Sequence, residues 1–459
     1  MLRKRIIWGS FCALFLMAAI ILLGQQEYFF PAGGTEIVQE EAKTQDTTER
    51  MEEKLQLFAT SAVLMDAKTG RVLYGKGENT PMAMASTTKI MTCITILEHV
   101  EDLTEKLTVS SYAASMPKVK LYIKKGEQYP VRELLFSLML ESHNDSAVAL
   151  AEYVGKQYLS EELKNKDTAE FTKEESKLAV AAFAKLMNDK AVELGCKDTW
   201  FITPNGLDAT ESVTLEDGSV AEKEHHTTAA ELARIMSYCI LESPKRDVFL
   251  EITRMPSYSF VENGRSFTCT NHNSFLSMMD GALSGKTGFT NKAGYCYVGA
   301  LEREDRTFIV ALLACGWPNN KSYKWSDTRE LMEYGLENYD YREFQPQVEL
   351  KDIFVENGVV EQGTPYDTKY VSLYGENLEE PIELLVSESE EIVVRVEQEE
   401  KFTAPVRKGE EAGTVSYFLK EKTGEEILLK QQSLYISEDV SELNFEYILR
   451  YVMDKYCLF

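Results

Sequence analysis

The sequence predicts an α/β fold, an antiparallel sheet with helices packed on it, followed by a smaller all-β domain. Three observations predict it. Strand-like runs stand near residue 62 and again between residues 295 and 314, so early and late segments can share one sheet. Apolar residues at helical spacing fill the stretch between them. From residue 345 onward the texture changes to short strand-like runs separated by turn residues and charges.

Taken in order, Arg3, Lys4 and Arg5 precede an uncharged run from Ile6 to Gly24, long enough to cross the hydrocarbon core of a bilayer with the basic cluster on the cytoplasmic side. No Ala-x-Ala-like site directly follows Gly24. Residues 1–24 are therefore read as a retained membrane anchor, with a cleaved signal segment as the alternative. Either way the bulk of the chain is exported. Residues 25–57 are polar and lack an apolar period, which reads as a linker. One folded domain is expected over 58–344, a β-rich domain over 345–436 and an amphipathic tail over 437–459.

Ser61 to Tyr74 reads as a hairpin turning at Asp66-Ala67-Lys68-Thr69-Gly70. A helix is expected from Ser86, with Ile90, Met91, Ile94 and Leu97 on one face. Val131 to Leu140 repeats the pattern, and Asp145 or Ser146 is expected to cap a helix from Ala147 to Val154. Lys156 to Lys177 is charged and lacks a core pattern, so it reads as a surface insertion, with helical spacing resuming from Leu178 to Leu194. Pro204 and Asn205-Gly206 mark a loop. A helix from Thr227 to Leu241, strands at Tyr295–Leu301 and Phe308–Ala314, and a helix from Thr328 to Tyr339 complete the first domain. In the second, Tyr370–Tyr374, Ile382–Val386 and Ile392–Val396 read as strands. In the tail, Leu443, Phe445, Tyr447, Ile448 and Val452 outline an amphipathic helix. Its acidic side disfavours adsorption to a membrane, so a packed or dimerising helix is expected.

Composition excludes whole classes of function. A net charge of −25 argues against a nucleic-acid partner, which needs a basic face to displace counterions. It leaves an anionic polymer open as substrate, because a cleft can be locally basic. Eight cysteines without a C-x-x-C pair and five histidines without H-E-x-x-H give no metal motif. No metal and no other cofactor is expected, and the cysteines read as small buried hydrophobes.

The chemistry concentrates in three short segments. In Ser86-Thr87-Thr88-Lys89 a hydroxyl and an amine stand one helical turn apart and share a face. A serine hydroxyl is a poor nucleophile near neutral pH and needs an adjacent base. Lys89 serves only when neutral, so its reference pKa near ~10.4 has to fall by about three units, which burial and a second cation such as Lys286 would favour. Alone, the pair reads equally as a helix cap followed by a solvated lysine. Ser142-His143-Asn144 lies between helices, where a loop can aim a hydroxyl and an amide into a cleft; His143, in the middle, is expected to point away. Lys286-Thr287-Gly288 precedes an apolar strand. Thr287 can bond a carboxylate, and Gly288 lets another backbone approach. Decoys exist. Ser115-Met116-Pro117-Lys118 carries a helix-breaking proline, and Lys68-Thr69-Gly70 and Lys422-Thr423-Gly424 fall on turns.

In this order S-x-x-K, S-x-N and K-T-G are the signatures of penicillin-interactive serine acyltransferases. Pro81-Met82-Ala83-Met84-Ala85 leads into the first motif and Gly126-Glu127 precedes the second. Pro204-Asn205-Gly206-Leu207-Asp208 follows, and Phe289-Thr290 and Ala293-Gly294-Tyr295 extend the third. With them the chain, from roughly Thr60 to Tyr339, resembles the low-molecular-mass penicillin-binding proteins of the D-alanyl-D-alanine carboxypeptidase type. The resemblance implies a transpeptidase-like (β-lactamase-like) domain followed by a β-sandwich. It implies an acyl-enzyme on Ser86, removal of the terminal D-alanine from peptidoglycan pentapeptide stems, and covalent binding of β-lactams. By the same resemblance Lys89 is the base, Ser142 a proton relay, and Asn144 and Lys286 polar walls of the cleft. Thr287 binds the terminal carboxylate with Lys324 beside it, Gly288 admits the substrate, and the amides of Ser86 and Phe289 form an oxyanion hole. The acidic tail departs from the cationic anchor that often ends such proteins, which passes attachment to the N-terminus. The rivals are a D,D-endopeptidase on cross-linked peptidoglycan, a penicillin sensor without turnover, a zinc peptidase and a class A β-lactamase. For the last, Glu161 and Asn165 copy the spacing of the deacylating glutamate but follow Ser142 too closely.

Overall fold

The computed structural model describes residues 55–214, 218–421 and 424–456. The expected anchor over 1–24, most of the linker over 25–57, and Lys422 and Thr423 of the third K-T-G lie outside the described residues.

Five strands form one antiparallel sheet: β1 (Ser61–Asp66), β2 (Val72–Lys76), β3 (Ala282–Thr290), β4 (Gly294–Arg303) and β5 (Arg306–Leu313), in the order β2-β1-β5-β4-β3. Ser61 pairs with Leu313 and Tyr297 with Thr287, so the early hairpin and the late strands share a sheet as expected. Successive side chains on a strand point to opposite faces. Val63, Met65, Ile309, Ala311 and Leu313 accordingly enter one core, and Leu64, Phe308, Val310 and Leu312 enter the other. Helices cover both faces, which is why these strands read as continuous apolar runs.

On the first face lie α1 (Lys89–His99), α2 (Val131–Phe136), α3 (Asn144–Gly155), α4 (Lys173–Glu193) and α5 (Ala229–Ser237). They bury Ile90, Leu134, Leu150, Phe183 and Leu232 among others. Each such side chain is worth ~1.5–3 kcal/mol of transfer free energy. α6 (Tyr323–Asn338) covers the second face with Leu331 and Met332.

Several local expectations need correction. Asp145 and Ser146 do not cap α3: the helix begins at Asn144, and the Asp145 carboxylate instead accepts the amides of Leu121 and Ile123. The stretch from Lys156 to Lys177 is not a plain surface insertion. It holds a short helix at Glu161–Asn165, buries Thr168 and Phe171, and ends in the first turn of α4, where Thr172 and Glu175 form a capping box. α6 starts at Tyr323, five residues before the expected Thr328. Hairpins at Thr210–Thr214 with Val220–Glu224 and at Ser257–Glu262 with Arg265–Thr270 were not expected.

Beyond α6 the described residues form strands and loops apart from one last helix. β6 (Glu391–Gln398), β7 (Glu411–Lys420) and β8 (Glu426–Ile436) form a four-stranded sheet with Leu373–Tyr374. Ile353–Glu356, Lys369–Val371 and Lys401–Thr403 form a second sheet. Val355, Val371, Val415, Tyr417 and Leu434 share the core of this region. Strand Asp340–Phe344 hydrogen-bonds to Ile382–Val386, joining the β-rich region to the end of α6. The β1–β2 turn docks there too. Arg71 grips the Glu390 carboxylate at 2.9 and 3.2 Å and donates to the Leu385 carbonyl at 2.7 Å.

The tail forms α7 (Phe445–Tyr456). Pairing with the β-rich region runs on to Glu442, opposite Gly358, and to Leu443, whose amide donates to the Asn357 carbonyl at 2.7 Å. Beyond it Phe445, Leu449, Met453 and Tyr456 are exposed, while Tyr447, Ile448, Tyr451 and Val452 on the other face are half-buried.

Candidate active site

Ser86 lies in a 3-10 turn, Ala85–Thr88, that runs into α1 and replaces the α-helical start expected. Residues three apart eclipse in that geometry, so Ser86 and Lys89 face the same way. Lys89 Nζ lies 2.9 Å from Ser86 Oγ, 3.0 Å from Asn144 Oδ1 and 2.6 Å from the Asn205 carbonyl oxygen. Its side chain is fully buried. Loss of hydration, then the nearby charge of Lys286, hold its pKa well below the usual lysine value, against an opposing pull from Asp145.

The turn is shaped by groups from far along the chain. Ala85 takes a left-handed φ of 49°. The Thr88 hydroxyl donates to the Ala85 carbonyl at 2.7 Å and lies 2.8 Å from His225 Nε2. Amides of Ile202 and Thr203 donate to His225 Nδ1 at 3.0 and 3.4 Å, which leaves the ring hydrogen on Nε2. Burial pushes His225 down to about 3, so the ring is neutral near pH 7. Two glycines allow the close fit. A Cβ on Gly206, whose φ is +79°, would sit 2.0 Å from the Ala85 carbonyl oxygen. A Cβ on Gly288 would sit 2.8 Å from the Ser86 amide nitrogen. That contact lays the Ser86 amide against the strand that carries Phe289.

Ser142 follows a π-type turn, Ser137–Glu141, and adopts φ 65° and ψ 31°. Its hydroxyl is buried and has no partner among the described residues. Asn144 is fixed from the other side: its amide nitrogen donates to Val119 O at 2.8 Å, and its side chain donates to Pro117 O and Lys118 O. His143 turns to the Ser137 hydroxyl at 2.9 Å and does not line the cleft, as expected. Lys286 is buried on β3, donates to the Thr287 carbonyl at 2.9 Å and is pushed down by burial to about 7. Lys324 on α6 lies 4.8 Å from the ring centres of Tyr295 and Trp325 and is lowered by burial to about 8.

These groups meet in one cleft of about 570 Å³. Ser86, Ser142, Asn144, Thr287, Gly288, Phe289 and Lys324 all line it, with Lys286 and Lys89 buried behind its wall. Lys118 and Lys321 add positive charge there. An acidic chain thus carries a locally basic cleft. Sequence reasoning gave no role to the Asn205 carbonyl, His225, Glu141 or His272. The Asn-Gly pair at 205–206 flagged the loop, but nothing flagged its contact with Lys89. Glu161 is on the outside, with its side chain 83% exposed, and is absent from the cleft lining.

Comparison with known proteins agrees with this geometry. A family model described as D-alanyl-D-alanine carboxypeptidase (peptidase S11) matches residues 46–159 and 178–315, more than half of the chain. The gap between the two matched segments falls in the charged stretch and takes in the first turn of α4. The chain is 27% identical over 413 residues to D-alanyl-D-alanine carboxypeptidase DacF of Bacillus subtilis, covering 87% of this chain and 90% of that one. It is 30% identical over 253 residues to a D-alanyl-D-alanine endopeptidase of Pseudomonas aeruginosa, covering 53% of this chain and 67% of the relative. The crystal structure of DacD from Francisella tularensis shares the fold, with a TM-score of 0.60 at 21% identity, over 91% of this chain and all of that one. A cleft built from the three motifs, on this fold and with these matches, means that the chain belongs to the peptidase S11 family of D-alanyl-D-alanine carboxypeptidases.

Proposed function

We propose that the Ser86 hydroxyl attacks the carbonyl of the penultimate D-alanine of a peptidoglycan stem and releases the terminal D-alanine, and that water then hydrolyses the acyl-enzyme. The chain is on this reading a serine-type D-Ala-D-Ala carboxypeptidase, acting outside the cytoplasm, where its substrate is. The observation that carries the assignment is the 2.9 Å approach of Lys89 Nζ to Ser86 Oγ. A neutral amine has two N–H groups and one lone pair. The Asn144 and Asn205 oxygens can only accept, so they take both hydrogens and leave the lone pair for the Ser86 proton. That proton passes from Lys89 through Ser142 to the departing nitrogen. Thr287 and Lys324 hold the terminal carboxylate, and the amides of Ser86 and Phe289 stabilise the oxyanion. Losing one such donor typically costs about 10²–10³ in rate.

A β-lactam presents a strained amide with a carboxylate to the same groups, and acylates Ser86. Residues 1–24 tether the enzyme to the membrane, and residues 345–436 form its second domain. Release of D-alanine from a pentapeptide and labelling by a fluorescent penicillin test the assignment. Both are expected in the wild type and neither in Ser86→Ala; a wild type inactive in both assays overturns it. The name of the Pseudomonas relative favours a second reading, in which the same hydroxyl cuts cross-linked peptides. Supplying pentapeptide and cross-linked dimer in parallel separates the two.

A further inference from the structure

Ser142 carries two unfavourable features at once. A non-glycine residue in the left-handed region is strained, and a buried hydroxyl without a partner has lost its hydration. Both persist only where the surroundings over-determine the loop. On the C-terminal side the Asn144 contacts do so. On the N-terminal side the holding group is Glu141. Its Oε1 accepts the Thr270 amide at 2.8 Å, and its Oε2 lies 2.8 Å from His272 Nε2. The His272 amide in turn donates to the Leu140 carbonyl at 3.3 Å. The loop is thereby latched to the end of the Arg265–Thr270 strand. Glu141 and His272 both line the cleft next to Ser142. A carboxylate there opposes the binding of an anionic substrate, so its use lies in what it holds.

We propose that Glu141, latched by the Thr270 amide and the His272 ring, is a positioning residue that aims the Ser142 hydroxyl at the leaving nitrogen. This rests on the relay assigned to Ser142 above. The two substrates that test it differ in their need for a proton. An amide nitrogen must be protonated to depart. A thioester analogue, with sulfur in place of that nitrogen, expels a thiolate whose conjugate acid has a pKa near ~8.5 and needs none.

Full-length Glu141→Ala, Glu141→Gln, His272→Ala and Ser142→Ala are assayed on both substrates, with melting temperatures recorded. Glu141→Ala is expected to lower kcat on the peptide by about 10–100-fold with KM within about threefold, and to leave thioester turnover nearly unchanged. Glu141→Gln keeps an oxygen for the Thr270 amide and restores peptide kcat to within about fivefold of the wild type. His272→Ala, which removes one latch and not the carboxylate, is expected to lose about threefold on the peptide. Equal losses on both substrates in Glu141→Ala, with Ser142→Ala still selective, overturn the positioning role. A Ser142→Ala variant without selectivity removes the relay itself, and the inference with it. Should Glu141→Ala fail to fold, His272→Ala decides: peptide turnover at the wild-type rate, or an equal loss on the thioester, refutes the inference.

Discussion

Lys-Thr-Gly occurs three times, and two of the copies, at residues 68–70 and 286–288, have opposite surroundings. The first is the β1–β2 turn. Lys68 is more than half exposed and pairs with Glu383 at 3.1 Å. Thr69 donates to Asp66, and the Gly70 φ of +73° has open space around it. The second lies along the edge strand β3. Lys286 is buried, Thr287 lines the cleft and Gly288 is pressed against the Ser86 amide. One copy docks the β-rich region; the other forms a wall of the cleft. The difference teaches that the tripeptide has no chemistry of its own. The charge of the second lysine adds to burial in lowering the pKa of Lys89, and close approach gives the second glycine a task that the first lacks.

The contrast is sharpest at the lysines. Lys286→Ala removes a cation that keeps Lys89 neutral, and acylation by a fluorescent penicillin is expected to slow by about 10²–10⁴-fold. Lys68→Ala leaves that rate within about twofold, since an exposed pair far from the reacting atoms has little influence on it. Equal rates in the two variants would erase the distinction. At the glycines, Gly288→Ala drives a methyl into the Ser86 amide and is expected to cost about 10² in the same rate. Gly70→Ala meets no atom and costs about 1–2 kcal/mol of stability through its positive φ, with acylation intact. Circular dichroism melts alongside the labelling assay read both effects.

Lys324 gives a pH test on the cleft side. Its folded pKa is lowered by burial to about 8, so the cation is present below that value and lost above it. KM for a substrate with a free carboxylate is expected to rise as pH passes through about 8. In Lys324→Met it should be about 10-fold higher at neutral pH and flat with pH, on the scale of one charged hydrogen bond. A wild-type KM that stays constant across that range would separate Lys324 from the carboxylate. The smallest effect belongs to the turn. The Lys68–Glu383 pair is exposed and worth about 0–1 kcal/mol, so Lys68→Ala should barely move the melting temperature.

Much of this was legible in the sequence, and the reasons differ by scale. Ser86 and Lys89 are local neighbours, and helical spacing alone puts them on one face. The shared sheet followed from apolar runs near residue 62 and between residues 295 and 314, because strands buried on both faces carry no polar alternation. Contacts between distant residues left no trace. The Asn205 carbonyl on Lys89, His225 against the Ala85–Thr88 turn, Asp145 bonding the 121 and 123 amides, and the Glu141 latch all depend on where loops meet. Two features were present as patterns and passed over. Thr172-Lys173-Glu174-Glu175 is a capping-box sequence, and it starts α4 inside the stretch read as an insertion. Asn263-Gly264 is a hairpin turn, and it joins the two strands ending at Thr270.

The strand order has a mechanical corollary. The β-rich region grips the sheet at its strand ends, through Arg71 of the β1–β2 turn, Tyr341 on Asp66 of β1 and Asp340 on Arg306 of β5, while Ser86 lies against the edge strand β3. In the strand order β3 stands two places from β5 and four from β2, so at ~4.8 Å per strand spacing the Ser86 side is about 10–19 Å across the sheet from the grip. A load pulling on the C-terminal half enters the sheet at those strand ends and reaches the edge beside Ser86 only through β4.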